Sequence, residues 1–250
     1  MQRFTHDGVE IAFLDEGQGV PIVLVHGFAS TAQVNWVHPG WVTTLTRAGR
    51  RVVALDNRGH GASSKLYDPS AYDSARMADD IVALIDHLEL GHADVMGYSM
   101  GARIVAFFAL FHRNRLRRAV LGGLGIHLVE GVGGSESIAA ALEAPSLADV
   151  HDARGRMFRA FAEQTKSDLK ALAACARGSR KTLTPEELAL IGAPVLVAVG
   201  TNDTIAGSAQ ELASLLPKGR ALEIPGRDHM LAVGDKVFKQ AVLRFLEEEA

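Results

Sequence analysis

Apolar residues fall along this chain in two alternating patterns. The first is a set of short continuous runs: Pro21-Ile22-Val23-Leu24-Val25, Val52-Val53-Ala54-Leu55, Ala93 to Met96, Arg118 to Gly122 and Pro194 to Gly200. Runs of this kind read as strands buried on both faces, which parallel sheets require. The second has helical spacing. Between Tyr72 and Leu90, Met77, Ile81, Leu84, Ile85 and Leu88 share one face, with Asp79, Asp80 and Asp86 expected outside. Residues 35–48, with Trp36, Trp41, Val42 and Leu45, read as a helix whose start is made irregular by Pro39-Gly40. Ser208 to Leu216 and Val233 to Glu249 complete the helical set, with a short strand from Ala221 to Ile224 between them. At the front, residues 2–15 alternate around Asp7-Gly8 and predict a hairpin. Strands and helices in this order predict an α/β fold with a mainly parallel sheet covered on both sides.

One region departs from the alternation. Residues 126–190 hold a glycine run (Gly131, Gly133, Gly134) and then three weakly amphipathic, alanine-rich helical patterns without a strand. This division gives a core of 1–125 and 191–250 and a helical cap, or lid, of 126–190 hinged at the glycines.

The stretch from His92 to His112 carries the first candidate chemistry. Its strand breaks into Gly97-Tyr98-Ser99-Met100-Gly101, and a strongly apolar helix follows, with Ile104, Val105, Phe107, Phe108 and Phe111 expected to be buried. G-x-S-x-G at a strand-to-helix junction is a nucleophile elbow, in which a strained turn lifts the serine above the sheet. The helix amides behind it are unpaired, so Met100 N–H can face an anion forming at Ser99. Phe28, after the strand ending in His26-Gly27, is the candidate for the second oxyanion donor. His26 itself is expected to order its loop.

Serine needs a base that works near neutral pH, and histidine fits. Of ten histidines, His229 follows the last strand and so reaches the same sheet edge as Ser99. Asp203, one connection earlier, is the carboxylate expected to hold the imidazole; Asp228 ranks behind it because adjacent side chains diverge. In the loop Asp56 to Ser63, glycines and polar groups admit either a phosphate cradle or a self-bonded structure. The Walker spacing and its lysine are absent, so Asp56 and Arg58 are expected to bond backbone near the elbow.

Composition narrows the field without redirecting it. The chain has 250 residues, 48% of them hydrophobic and 22% charged, with a net charge of -3. No strong field marks nucleic acid or an anionic membrane as a partner. The local basic run Arg113 to Arg118 is expected to complement a helix end. A single cysteine, Cys175, excludes an internal disulfide, and no spacing suggests a metal site or a cofactor fingerprint. Without an apolar leader or a membrane-length run, a cytoplasmic location is expected, with a small molecule as partner and the oligomeric state unread.

The order Ser99, Asp203, His229, together with HGF at 26–28, DNRGHGAS at 56–63, GTND at 200–203 and GRDH at 226–229, resembles the α/β-hydrolase superfamily along nearly the whole chain. The resemblance implies a sheet of about eight strands, Ser99 as nucleophile, His229 as base, Asp203 as orienting acid, and the amides of Phe28 and Met100 as oxyanion hole. Ala102 stands where many relatives have glycine, leaving Arg103 on the first helical turn. The implied reaction is hydrolysis of an ester, lactone or thioester through an acyl-enzyme, with carbon-carbon bond hydrolases and perhydrolases sharing the same triad. A ligand receptor or scaffold with little turnover is the alternative of another class.

Overall fold

The computed structural model describes residues 1–248. Strands β1 (Gln2–His6) and β2 (Val9–Glu16) form the hairpin. Asp7 and Gly8 take φ of 48° and 74°, the left-handed pair that lets a two-residue turn follow the twist of its strands. The chain continues through β3 (Val20–Val25), α1 (Trp41–Arg47), β4 (Arg50–Leu55), α2 (Ser74–His87), β5 (Ala93–Tyr98), α3 (Met100–Phe111) and β6 (Leu116–Gly122). A helical segment follows: α4 (His127–Glu130), α5 (Ser135–Glu143), α6 (Ala153–Gln164), α7 (Leu169–Gly178) and α8 (Pro185–Leu188). Strand β7 (Val195–Gly200), α9 (Ala209–Ser214), β8 (Gly219–Ile224) and α10 (Lys236–Glu247) close the core.

The eight strands lie in the order β1-β2-β4-β3-β5-β6-β7-β8, antiparallel where β2 pairs with β1 and β4 and parallel elsewhere. From β3 the chain steps to β4 on one side; from β5 it steps to β6 on the other. Loops leaving the carboxyl ends of β3 and β5 therefore diverge and leave a crevice, the usual ligand position in open α/β sheets. Val25 and Gly97 are register partners, so both strands end level at that crevice.

The sheet is buried on both faces. Ile81, Ile85, Val105 and Phe108 from α2 and α3 cover one side, and Trp41, Leu45, Phe238 and Val242 from α1 and α10 cover the other. Trp41 meets the Phe238 ring edge-on at 5.1 Å. Among the described residues, no helix is long and apolar enough to cross a membrane.

Several expectations need correction. The helix expected over 35–48 is two pieces, a π-helical turn at Gln33–Val37 and α1, because Gly40 is left-handed (φ 80°) and caps the second. The helix expected from Tyr72 begins at Ser74, where the Asp73 carboxylate accepts from Ala75 N–H. Asp80 is buried, not outside: it takes a two-pronged ion pair from Arg58 at 2.7 and 2.8 Å and a contact from His6. Arg58 thus serves the Asp80 carboxylate as well as the Ala71 carbonyl. Phe111 is 55% exposed, since it occupies the last turn of α3 and leans on Phe107 from outside. Of the basic run, Arg113 does bond the helix-end carbonyl of Leu110, but Arg117 and Arg118 lie 3.8 and 3.9 Å from buried Asp94. The closing helix starts at Lys236, after a 3-10 turn, and Glu249 lies outside the described residues.

Candidate active site

Ser99 follows β5 directly at φ 55°, ψ −113°, a conformation that costs a non-glycine residue about 1–3 kcal/mol and persists only where its surroundings over-determine it. They do so here. The Ser99 amide donates to Gly122 O at 2.7 Å. A Cβ on Gly97 would sit 2.2 Å from Gly101 O, and one on Gly101 would sit 2.0 Å from Val25 O. Only hydrogen at both positions lets strand, turn and helix pass this closely.

The loop after β8 brings His229 to the serine. Its Nε2 lies 2.9 Å from Ser99 Oγ, and its Nδ1 lies 2.7 Å from Asp203 Oδ2. Asp203 projects from the loop after β7, and its other oxygen accepts the Ile205 and Ala206 amides at 2.8 and 3.0 Å. Burial pushes this carboxyl up, yet the His229 hydrogen bond and charge, with the two amides, outweigh burial and hold it below the usual carboxylate range. An ionised Asp203 accepts a hydrogen bond from His229 Nδ1–H, which leaves Nε2 as an acceptor for the serine hydroxyl. Asp228 does not join this chain: its carboxylate caps the Met230 and Leu231 amides.

Phe28 and Met100 line a cavity together with Ser99. Among the described residues, neither amide donates to another protein group, and Met100 opens α3, at the positive end of its dipole. The loop carrying Phe28 is held by groups the sequence reading passed over. Gly27 N–H donates to Asn35 Oδ1 at 2.9 Å, and Ala29 N–H donates to His60 Nε2 at 3.2 Å. His26 orders the loop: its Nδ1 donates to Gly27 O, and its Nε2 accepts Asn57 N–H. Burial pushes His26 down to about 4 and, with the neighbouring His26 charge, His60 down to about 3. Both rings are neutral acceptors in the range where enzymes work.

Tyr98 also escaped the sequence reading. Its hydroxyl donates to His229 O at 2.7 Å. Only its place beside the serine hinted at such a role.

Two cavities meet at Ser99, Phe28 and Phe158. One is largely apolar and includes Tyr98, Met157, Phe161, His229 and Val233. The other is much narrower and includes Met100, Arg103, Leu124, Arg154 and Arg180. Helix α6 lies across both: Phe158 meets Phe28 edge-on at 5.6 Å, and Thr165 Oγ1 donates to Ala29 O at 3.0 Å. Among the described residues, no group of three or more His, Cys, Asp or Glu is arranged to hold a metal ion.

The family described as alpha/beta hydrolase fold matches residues 20–130. A hydrolase from Pseudomonas aeruginosa PA01 superimposes with a TM-score of 0.81 at 26% identity, covering 99% of this chain and 98% of that one. The chain has the α/β-hydrolase fold. Among curated relatives, the non-heme bromoperoxidase BpoC of Mycobacterium tuberculosis is 28% identical over 247 residues, 89% of this chain and 91% of that protein. Non-heme chloroperoxidase CPO-A1 of Kitasatospora aureofaciens is 38% identical over 118 residues, but that match spans only 47% of this chain and 41% of the relative.

Proposed function

We propose that this protein of α/β-hydrolase fold is a serine hydrolase that cleaves an ester, lactone or thioester of a small to medium organic acid through an acyl-enzyme on Ser99. The supporting observation is the continuous hydrogen-bonded line from Ser99 Oγ through His229 to Asp203, at 2.9 and 2.7 Å. As Oγ attacks the carbonyl carbon, its proton passes to His229 Nε2 and the new oxyanion faces the amides of Phe28 and Met100. Collapse breaks the bond to the leaving oxygen or sulfur, which takes the proton from Nε2. Water then repeats the sequence, giving its proton to Nε2, and Ser99 recovers that proton as the acid departs. Asp203 fixes the tautomer and stabilises the imidazolium throughout. Helices α4 to α8 act in this reading as a cap whose inner face, led by Phe158, excludes water.

The likeness to a chloroperoxidase favours a second reading in which hydrogen peroxide replaces water as acyl acceptor, yielding a peracid from the same acyl-enzyme. Both readings require Ser99. Covalent labelling by a fluorophosphonate and release of p-nitrophenol from short acyl esters are expected, with both abolished in Ser99→Ala. Failure of the wild-type protein to do either, or unchanged turnover in Ser99→Ala, refutes the proposal and leaves a ligand-binding protein on a hydrolase fold. Adding peroxide and assaying peracid separates the two acceptors.

A further inference from the structure

The smaller cavity beside Ser99 holds a cluster of three arginines drawn from separate segments of the chain. Arg103 comes from the first turn of α3, Arg154 from the first turn of α6, and Arg180 from the segment after α7. Among the described residues, none of these guanidinium groups belongs to an ion pair, whereas Arg177, three residues before Arg180, holds both Glu136 and Glu143 at 2.7 Å.

Their hydrogen bonds are also incomplete. Arg103 is anchored, donating to Lys181 O at 2.6 Å and His127 O at 3.3 Å. Arg154 spends one donor on Val132 O at 3.2 Å, while its Nε and Nη2 are buried without a partner. Arg180 Nε is likewise buried and unpartnered. Burial, then the Arg154 charge, pushes Arg180 down; burial, then the Arg180 charge, brings Arg103 down to about 10. The other residues lining this cavity carry no charge. Buried cationic donors without acceptors are costly, and a planar anion is the ligand their geometry suits best.

We propose that Arg154 and Arg180, in the positive field of Arg103, bind a carboxylate at the far end of the substrate's acyl chain. This deepens, and rests on, the serine-hydrolase reading. The direction follows from proton delivery. His229 must reach the leaving oxygen, and it lines the larger apolar cavity, not this one. The alcohol therefore occupies the apolar cavity, and the acyl chain runs past the Phe28 and Met100 amides toward the arginines. The preferred substrate class is the monoester of a short dicarboxylic acid with an apolar alcohol.

The test compares the 1-naphthyl monoester of glutaric acid with 1-naphthyl pentanoate, which carries a methyl group in place of the carboxylate. In the wild-type protein kcat/KM is expected to favour the glutarate ester at least about tenfold, the range in which a charge-assisted contact operates. That preference is expected to fall at least about tenfold in Arg154→Gln and Arg180→Gln and to persist in part in Arg180→Lys. A wild-type preference near unity, or one left intact in both glutamine variants, overturns the proposal. A catalysis-free arm measures glutarate and inorganic phosphate binding to Ser99→Ala protein by calorimetry. Glutarate binding that weakens in the added glutamine substitutions supports the proposal even if no ester is turned over, the result that defeats the hydrolase reading. No glutarate binding, or tighter binding of phosphate, overturns it while leaving Ser99-dependent hydrolysis of the pentanoate ester untouched. Glutarate should also inhibit wild-type pentanoate hydrolysis competitively, a measurement that needs no arginine variant, and absence of that inhibition counts against the proposal in the same way.

Discussion

The hydroxyl of Tyr98 donates to the main-chain carbonyl of His229 at 2.7 Å, so the residue before the serine holds the residue that faces it. Burial pushes this phenol well above its ordinary range, with the Asp203 and Asp228 charges acting the same way, and it therefore stays a donor at any working pH. It also explains how a loop tip flanked by exposed Met230 and Leu231 can carry a buried imidazole.

Tyr98→Phe removes that tether while keeping the ring. The His229 carbonyl loses its buried donor, at a cost of about 1–2 kcal/mol in stability, read from urea unfolding. Turnover should suffer more than binding, because a base displaced by a fraction of an ångström still leaves the cavities intact. A fall of roughly tenfold in kcat with little change in KM is expected.

Asp203→Asn tests the tautomer argument. Ile205 and Ala206 amides keep one side-chain position as an acceptor, so the new NH2 group must face His229 Nδ1. The imidazole then carries its proton on Nε2 and can no longer accept from Ser99. Activity on any accepted ester should fall on the order of 10³–10⁴-fold with little loss of stability. Asp228→Asn leaves the Met230 and Leu231 amides an oxygen acceptor and should keep most of the activity, which steady-state kinetics on the two variants will check.

The sheet, the elbow and the residues now joined at Ser99 were legible because each depends on local signals: continuous apolar runs, glycines at a strand-to-helix turn, and polar residues just past strand ends. What escaped depends on distance. Asp80 sits on the same helix as half-buried Asp79 and exposed Asp86, and only the arrival of Arg58 from another loop makes its burial tolerable. Asn35 gives no signal in its own segment, since the Gly27 amide it accepts from is brought by tertiary folding. Arg103, Arg154 and Arg180 are spread over three elements, and each alone looks like an ordinary surface arginine on a helix or loop.

The elbow glycines should prove unequal to other glycines of the chain. Gly101 tolerates no Cβ because Val25 O would lie 2.0 Å from it, and that oxygen belongs to backbone held by the sheet. Gly101→Ala is expected to lose on the order of 3 kcal/mol or more, or to accumulate as insoluble protein. Gly8, at φ 74° with nothing near its missing Cβ, faces only the left-handed backbone penalty. Gly8→Ala should cost about 1–2 kcal/mol. Denaturant midpoints of the two variants separate steric exclusion from backbone preference.

Acid should unfold the protein through His26 and His60. Both imidazoles are held below their ordinary value, to about 4 and about 3, first by burial. Above the unfolded-state value of about 6.5, both are neutral in either state and stability does not depend on them. As the pH falls below that point, the unfolded chain takes up protons that the folded chain refuses. Stability then drops, by on the order of 1.4 kcal/mol per pH unit for each histidine, until the folded rings titrate near 4 and 3. The loss is confined to that window and levels off below it. Replacing His60 by glutamine keeps a group able to accept the Ala29 amide while removing one titrating site. Urea unfolding from pH 7 to pH 4 should give a shallower slope for His60→Gln than for the wild-type protein; equal slopes would mean that His60 is not what makes the fold acid-sensitive.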